Sequence, residues 1–419
     1  MKKHFIFCLL LTAILFSCEK KSDNNTYNAN RFERKIILDN LADPTKMDLD
    51  ADGNVYISLK GGQIFKFNTV TGRKTLTGTI PTKNYGESGL LSIALDPDFQ
   101  NFPFVYAFFT STDGDYQRIS RFSIKNDKLD LNSEINFIHF KVFQERHQGG
   151  GIEFGKNRDL YIGIGENSHP GEASGYAPID ERPGMELHDS QRSSANSKSF
   201  NGKILRIKVN TNGTYSIPEG NLFASDDTLA KPEVYIMGCR NPFKLFPDST
   251  TGILYWGEVG PDAGVPGEKG PQGYDEINAA SEAGFYGWPY FIANNIPYNH
   301  YDYATYKAGE TFNPASVMNL SPNNTGHKKL PFPKEAYFYY TYDENKNYPQ
   351  LGSGGRCVMA GPVYHYHKMK QSESMFPKYF DDKLFFFDWM RCKIWTINTK
   401  GTKKEVELLF PEIDFKKPV

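Results

Sequence analysis

His147 is the first residue of the chain whose type and surroundings suggest chemistry. It precedes Gly149, Gly150 and Gly151, after which an alternating apolar run begins. Glycines accept positive φ values and let a backbone approach a ligand closely. An imidazole that titrates near neutral pH can take a proton from a hydroxyl group about 3 Å away. The arrangement favours a general base at the mouth of a turn, and the competing interpretation is a structural histidine that only satisfies hydrogen bonds.

A second candidate lies in the stretch 238–248, which reads GCRNPFKLFPD. The guanidinium of Arg240 keeps its positive charge at any physiological pH, so it suits an anion or a developing oxyanion. Asn241 followed by Pro242 is typical of a turn that presents such a side chain. An exposed salt bridge is the alternative use of this arginine.

The stretch 256–290 is rich in oxygen donors and in Gly-Pro turns. Carboxylate and carbonyl oxygens are the ligands that Ca²⁺ prefers, although the spacing is not that of an EF-hand loop. The candidate donors are the side chains of Asp262, Asp275, Glu276 and Tyr286 and the main-chain carbonyls of Gly260 and Pro261. Turn-forming acids that bind no metal are the alternative.

The elements that position these residues are repeated pairs of strands. Each repeat has an apolar strand, a polar turn containing Asp or Gly, and a second strand containing aromatic residues. Such hairpins, repeated along a long chain, predict an all-β protein with the β-propeller fold rather than a β-sandwich or a β-helix. Five repeats are legible, at residues 47–67, 93–110, 152–167, 244–260 and 376–397.

The C-terminal segment DFKKPV, residues 414–419, resembles the segment ADPTKM at residues 42–47 that opens the first repeat. We therefore expect a six-bladed propeller whose sixth blade is incomplete at the C-terminus. Either the N-terminal segment completes that blade, or the chain is a shortened product of a longer protein. Residues 291–355 interrupt the repeats with Tyr-, Asn- and Pro-rich sequence, and we interpret them as an insertion over one face of the propeller.

The N-terminus has the pattern of an export signal. Lys2 and Lys3 precede an apolar segment that is too short for a comfortable membrane span of about 20 residues. We interpret residues 1–17 as a lipoprotein signal peptide, Cys18 as the lipidated residue and residues 18–34 as a flexible tether, with the propeller at 35–419. This predicts attachment to the membrane through lipid, in the periplasm, at the outer membrane or at the cell surface. A plain secretory signal is the alternative.

Composition limits the function further. The 419 residues carry a formal net charge of -1, which removes the electrostatic case for nucleic-acid binding. Beyond the signal region the cysteines are Cys239, Cys357 and Cys392, so one disulfide is possible and its pairing is open. No Cys-x-x-Cys-His motif occurs, so electrons removed from a substrate would leave through another molecule.

Six short motifs occur in one order, and together they resemble the glucose/sorbosone dehydrogenase family of quinoproteins. The resemblance implies a six-bladed propeller that holds pyrroloquinoline quinone (PQQ) and Ca²⁺ on its central face. It also implies oxidation of an aldose-type sugar by hydride transfer to PQQ, with a cytochrome or quinone as external electron acceptor. The motifs are ESGLLSIALDPDF at 87–99, RHQGGGIEFG at 146–155, CRNP at 239–242, EVGPDAG at 258–264, GYDEIN at 273–278 and GFYGWPYF at 284–291.

The resemblance also implies roles for single residues. His147 matches the base that takes the sugar hydroxyl proton, Arg240 matches the residue that polarises the quinone oxygen, and Asn241 lines the same pocket. The remaining implied contacts are the carbonyls of Gly260 and Pro261 to the cofactor-bound Ca²⁺, Glu276 and Tyr286 to a further Ca²⁺, Arg391 to the cofactor, and Glu87 to the substrate.

One departure from the family concerns the residue before the base. Arg146 stands where the soluble glucose enzymes have an aspartate, so the sequence predicts a base without an adjacent orienting carboxylate. Two other functions compete with sugar oxidation. One is a non-catalytic propeller that binds carbohydrate or partner domains, and the other is a Ca²⁺-dependent sugar lactonase.

Overall fold

The computed structural model describes residue 32 and residues 35–369, 372 and 374–410. The interpreted signal peptide 1–17, Cys18 and the segment 414–419 lie outside these residues. In the described part of the chain, no helix has the length and apolar character needed to cross a bilayer.

Five sheets, antiparallel apart from one strand pair in blade 3, form the blades of a β-propeller. Blade 1 contains β1 (Pro44–Leu49), β2 (Asn54–Leu59), β3 (Gln63–Asn68) and β4 (Lys74–Thr79), and blade 2 contains β5 (Leu90–Leu95), β6 (Phe104–Thr110), β7 (Tyr116–Lys125) and β8 (Lys128–Lys141). Blade 3 contains β9 (Gly151–Phe154), β10 (Asp159–Ile164), β11 (Lys203–Val209), β12 (Tyr215–Ser216) and β13 (Val234–Met237). Blade 4 begins with β14 (Leu245–Pro247), β15 (Leu254–Glu258) and β16 (Asp275–Ala280).

The strand β17 (Gly284–Phe285), just before the interpreted insertion, pairs in parallel with β13 of blade 3. The insertion itself carries two hairpins and contributes one strand to a blade. The hairpins are β18 (Phe291–Ile292) with β19 (Ile296–Pro297) and β20 (Asn299–Asp302) with β21 (Lys307–Thr311). The strand β22 (Phe338–Tyr340) pairs with β16 and completes blade 4. The segment 291–355 is therefore partly an integral strand of the propeller.

Blade 5 contains β23 (Val358–Tyr364), β24 (Lys383–Asp388), β25 (Lys393–Asn398) and β26 (Val406–Leu408). The short helical elements among the described residues are 3₁₀ turns at Lys156–Arg158, Gly171–Ala173, Glu186–His188, Ser190–Arg192, Pro314–Ser316, Pro349–Leu351, Tyr366–Lys368 and Lys378–Phe380.

The propeller prediction is confirmed, but the predicted blade number is wrong, because the described residues form five blades rather than six. The sixth blade was inferred from the likeness between two six-residue segments and from the family resemblance. The second of these segments lies outside the described residues, and the first enters β1, the first strand of blade 1. A short resemblance at the start of a repeat carries no information about the strands that must follow it.

The core lies between the blades rather than within one closed layer. Strands β2, β5 and β6 are buried or nearly buried along their whole length, which is expected where both faces of a sheet are covered. Tyr106 and Phe108 of blade 2 share one apolar cluster with Ile152 and Ile162 of blade 3. Blades 4 and 5 share another cluster, which includes Tyr255 and Phe386.

The first strands of the blades contact one another in the order β1, β5, β9, β14 and β23. They therefore lie side by side around the central axis and begin at the same end of the propeller. Residues just before these strands converge at that end, which we call the entry face.

Candidate active site

His147 lies on the entry face, just before β9. Its backbone adopts a φ of 51°, in the left-handed region. Its carbonyl oxygen accepts a hydrogen bond from the main-chain N–H of Asn167 at 3.0 Å, and the side chain of Asn167 binds the carbonyl oxygens of Gln144 and Arg146. These bonds hold the residue in a conformation that a non-glycine residue seldom adopts.

The imidazole of His147 is paired with the carboxylate of Glu166. The two atoms, His147 Nδ1 and Glu166 Oε1, are 3.0 Å apart. Glu166 is fully buried, and its other oxygen accepts a hydrogen bond from the indole N–H of Trp288. Glu166 follows β10 directly in the same blade, so the strand that pairs with β9 supplies the partner of the histidine.

This pair corrects the expectation drawn from Arg146. The side chain of Arg146 is exposed, and the orienting carboxylate comes from Glu166, nineteen positions away in sequence. The sequence carried a usable signal here, because an acidic residue at the end of the apolar strand β10 must be buried and paired.

The glycines after His147 serve packing within the propeller. A Cβ atom at Gly149 would lie 2.5 Å from the Gly163 carbonyl oxygen, one at Gly150 would lie 2.7 Å from the Leu91 side chain, and one at Gly151 would lie 2.7 Å from the Phe243 carbonyl oxygen. The interpretation of these glycines as a bare floor for a ligand is therefore unnecessary, since neighbouring strands already require them.

Arg240 and Asn241 lie at the same end, before β14 of blade 4. The main-chain N–H groups of both residues donate to Glu258 Oε2, at 3.0 Å and 2.8 Å. The guanidinium of Arg240 donates to the Val259 carbonyl oxygen at 2.6 Å. The buried Glu258 thus fixes the turn that presents the arginine.

The two turns from blades 3 and 4 are bonded to each other. Asn241 Oδ1 accepts from the Gly149 N–H at 2.8 Å, and the Arg240 carbonyl oxygen accepts from the Glu166 N–H at 2.8 Å. The His147–Glu166 pair and the arginine therefore belong to one hydrogen-bonded unit.

Glu87 comes from blade 2 and lies beside this unit. Its Oε2 accepts from the N–H of Gln148 at 3.2 Å, and its N–H donates to the Glu145 carbonyl oxygen. The structure thus brings the predicted substrate contact next to the predicted base. Its role in binding a substrate stays a prediction.

Gly260 and Pro261 are held by a buried ion pair. Asp275 accepts from the Gly260 N–H at 3.0 Å and from the guanidinium of Arg356. Arg356 also donates to the Pro261 carbonyl oxygen. That oxygen, one of the implied Ca²⁺ ligands, is therefore already bound to a cation of the chain itself.

A cavity of about 20 Å³ lies behind the arginine turn. Its walls include the buried carboxylates of Glu258 and Glu276, together with Tyr286 and Asn278. The Oδ1 atom of Asn278 is buried and lacks a hydrogen-bond partner. The hydroxyl of Tyr286 donates to the Ala279 carbonyl oxygen at 2.8 Å. The structure thus brings Glu276 and Tyr286 to one cavity, large enough for a single ion or water molecule.

The two acids of this cavity titrate far from the usual range of glutamate. Burial raises the pKa of Glu276 to about 8, and the neighbouring carboxylate of Glu258 adds to the increase. Burial also raises the pKa of Glu258 to about 7. Without a cation in the cavity, both carboxyl groups hold a proton over much of the pH range in which an exposed glutamate is ionised.

We expect Glu276→Gln to stabilise the protein relative to wild type increasingly as the pH rises from 5 to 8. The raised folded-state pKa means that the folded chain holds a proton that the unfolded chain releases at about pH 4.5. In the wild type, the stabilising contribution of this proton is complete below that pH and is lost as the pH rises through about 8. The variant does not titrate, so it gains stability relative to the wild type over this range. Urea unfolding at several pH values in chelator-containing buffer measures the difference, with Glu268→Gln at an exposed site as control. A pH-independent difference would contradict the expectation.

Arg391 lies at the same end of the propeller but binds the chain itself. Its guanidinium donates to the carbonyl oxygens of Leu351 and Gly352 at 3.1 Å, of Gly355 at 3.0 Å and of Thr341 at 2.7 Å. In this arrangement it secures the end of the inserted segment against blade 5. Its contact with a cofactor stays a prediction.

Three site residues were not assigned a role from the sequence, namely Glu166, Glu258 and Arg356. The two glutamates adjoin apolar strands and are buried, which is the signal that could have identified them. Arg356 gave no comparable signal. The three cysteines outside the signal region are free thiols, so the possible disulfide is not formed.

Comparison with known proteins places the chain in a family. The family model for glucose/sorbosone dehydrogenase matches residues 41–328, more than half of the chain. Quinoprotein glucose dehydrogenase B of Acinetobacter calcoaceticus is 26% identical over 310 residues, covering 70% of this chain and 59% of the relative. Hedgehog-interacting protein of Homo sapiens is 29% identical over 215 residues, covering 48% of this chain and 28% of the relative. The matched region thus spans less than two thirds of either relative.

A solved structure supports the fold. The PQQ-bound form of aldose sugar dehydrogenase from Streptomyces coelicolor superimposes with a TM-score of 0.55 at 22% identity, covering 89% of this chain and 83% of that chain. The family model matches residues 41–328, and the chain therefore belongs to the glucose/sorbosone dehydrogenase family.

Proposed function

We propose that this protein is a PQQ-dependent dehydrogenase that oxidises a hydroxyl group of an aldose-type sugar and passes the electrons to an external acceptor. The observation that carries the proposal is the pair formed by His147 and the buried Glu166 on the entry face. A histidine oriented by a buried carboxylate is well suited to take a proton from a hydroxyl group.

The carboxylate decides which nitrogen of His147 can act. An ionised Glu166 only accepts hydrogen bonds, so His147 Nδ1 carries the proton that is donated to it. The lone pair of the neutral imidazole then lies on Nε2. This atom takes the proton of the substrate hydroxyl group, and the imidazolium that forms is stabilised by the carboxylate.

Arg240 contributes charge at the same place. Its guanidinium remains protonated, and the turn that presents it is fixed by Glu258 and bonded to Glu166. A preorganised positive charge stabilises negative charge that develops on an oxygen during the reaction. Bound PQQ would supply the acceptor for the hydride.

The donors of this face fit an anionic quinone. Arg240 lies there, and Arg356 keeps a buried Nε–H without a hydrogen-bond partner. Such an unsatisfied donor is costly unless a ligand completes it. Arg240, Asn241 and Arg356 would hold the cofactor, and Arg391 joins them only if its present carbonyl partners are exchanged.

The two implied calcium sites differ in how well they fit. The cavity with Glu258 and Glu276 offers several oxygen donors, including the unpartnered Asn278 Oδ1, which suits Ca²⁺. Arg240, Gly260 and Pro261 line the same cavity. The Pro261 carbonyl oxygen already accepts from Arg356. As arranged, the Gly260–Pro261 pair does not fit a cation, because the guanidinium would repel it.

Titration of the purified protein with PQQ, with and without Ca²⁺, tests the proposal. Binding is followed by the quinone absorbance, and turnover by dye reduction with a panel of aldoses. Saturable PQQ binding together with sugar-dependent dye reduction would support the dehydrogenase. Absence of both would overturn it and favour a propeller that binds a protein or glycan partner, for which the match to Hedgehog-interacting protein is the supporting observation.

We also propose that the protein is an exported lipoprotein attached through Cys18. The support is the order of Lys2 and Lys3, a short apolar segment and then Ser17 before the cysteine. Cys18→Ser should move the protein from the membrane to the soluble fraction, as measured by cell fractionation and immunoblotting. Cys8→Ser, which lies within the same signal, is the control, and membrane retention of Cys18→Ser would contradict the assignment.

A further inference from the structure

A cluster of metal-ligating side chains lies at the end of the propeller opposite the entry face. It consists of His365, Asp381 and Asp382, and one ligand atom from each of them lies within 4.8 Å of the others. His365 follows β23, and the two aspartates precede β24. We infer that this cluster is a binding site for a divalent transition-metal ion, with Zn²⁺ as its best match.

Both ring nitrogens of His365 face carboxylates. Its Nε2 is 3.0 Å from Asp248 Oδ1, and its Nδ1 is 3.2 Å from Asp382 Oδ1. Asp248 comes from the turn between β14 and β15, so this bond joins blade 4 to blade 5. The side chain of His365 is only 12% exposed.

A neutral imidazole cannot satisfy this geometry by itself. It has one N–H group and one lone pair. If the N–H is donated to Asp248, the lone pair on Nδ1 points at an oxygen of Asp382, and two acceptors face each other. A cation between them removes the repulsion, and the histidine then has the usual second-shell carboxylate of a metal ligand.

The other groups at the site are compatible with an ion. Asp381 Oδ1 accepts the Tyr366 N–H at 2.9 Å, and its Oδ2 lies 3.9 Å from Nε2 of the exposed His367. His367 is thus a fourth donor within reach. Lys400 is bonded to Asp382 Oδ2, but its side chain is 75% exposed and can withdraw into solvent when a metal binds.

The donor set selects the metal. Imidazole and carboxylate ligands in a group of three or four suit tetrahedral Zn²⁺. Ca²⁺ prefers six to eight oxygen ligands, and this cluster offers fewer. The site shares no residue with the candidate active site, so the inference does not depend on the proposed function.

Calorimetric titration of metal-stripped, tag-free protein with Zn²⁺ tests the inference. We expect one tight equivalent in wild type and its loss in His365→Ala. Asp248→Asn should weaken binding about 10–100-fold, since it leaves the ligands in place and removes only the orienting carboxylate. His327→Ala is the matched control, because His327 pairs with a single carboxylate, Asp227, at 2.7 Å.

A second variant covers the case in which His365→Ala fails to fold. Asp381→Asn preserves volume, and loss of the tight equivalent with an unchanged midpoint of thermal unfolding supports the site. Absence of a tight equivalent in wild type, or its retention in both His365→Ala and Asp381→Asn, overturns it. Nitrogen NMR that finds His365 doubly protonated in the presence of one equivalent of Zn²⁺ also overturns it, because a shared proton would then occupy the place of the metal.

Discussion

His147→Gln should lower kcat for sugar oxidation by about 10²–10⁴-fold, the usual contribution of a general base. Glutamine retains a polar side chain of similar reach but cannot take a proton from a hydroxyl group. The side chain of His147 is bonded to the Glu166 carboxylate, whereas the turn that presents Arg240 is held by Glu258 and by the main-chain N–H of Glu166. PQQ affinity should therefore change little. Steady-state dye reduction and PQQ titration on the same preparation measure the two quantities separately.

His139→Gln is a suitable control, because His139 is an exposed residue of blade 2. It should leave kcat unchanged. If His147→Gln turns over at the wild-type rate with PQQ bound, the base lies elsewhere. If the variant loses PQQ in proportion to activity, the histidine is a cofactor contact rather than a base.

Glu166→Gln should lower kcat almost as much as loss of the base, by about 10²–10⁴-fold. The amide can turn either its oxygen or its NH₂ group toward His147. If the NH₂ group donates to Nδ1, the imidazole proton moves to Nε2 and the base is lost. If the oxygen faces Nδ1, the NH₂ group opposes the N–H of Trp288, which now donates to Glu166. Either arrangement also removes the charge that stabilises the imidazolium.

Two measurements distinguish this positioning role from a merely structural one. Glu166→Asp should recover part of kcat, because it restores the charge at a shorter reach. The loss in Glu166→Gln should fall on kcat, with KM for the sugar little changed, because the carboxylate acts on the base rather than on substrate binding. No recovery of kcat in Glu166→Asp, together with equal loss of thermal stability in both variants, would assign Glu166 to folding alone.

The strand pairs of the propeller could be predicted from the sequence because their physical cause is local. Alternation of apolar residues around turns such as Asp50–Gly53 shows directly in the order of residues. The number of blades could not be predicted in the same way. The number of blades depends on strand pairings between segments that are far apart in sequence. One example is β22, which pairs with β16 and completes blade 4.

The sequence singled out residues of the candidate site but not the bonds that connect them. His147, Arg240 and Glu87 were named as candidates, and the structure brings their turns together; their roles stay predictions. The pairing of His147 with Glu166 depends on the register between β9 and β10, which places Gly151 opposite Gly163. Arg391 could not be distinguished from a ligand contact by type, because a guanidinium binds carbonyl oxygens and anionic cofactors equally well.

The entry face draws its residues from four different blades, and no blade contains more than a fraction of the chemistry. Each strand pair can form its own hydrogen bonds while Glu87, His147, Arg240 and Arg356 are still far apart. Such a molecule would give the circular dichroism spectrum of a largely folded protein, although the residues of the candidate active site would not yet lie together. The proposed dehydrogenase activity would therefore measure complete tertiary assembly, because it reports on long-range docking that a measure of secondary structure does not detect.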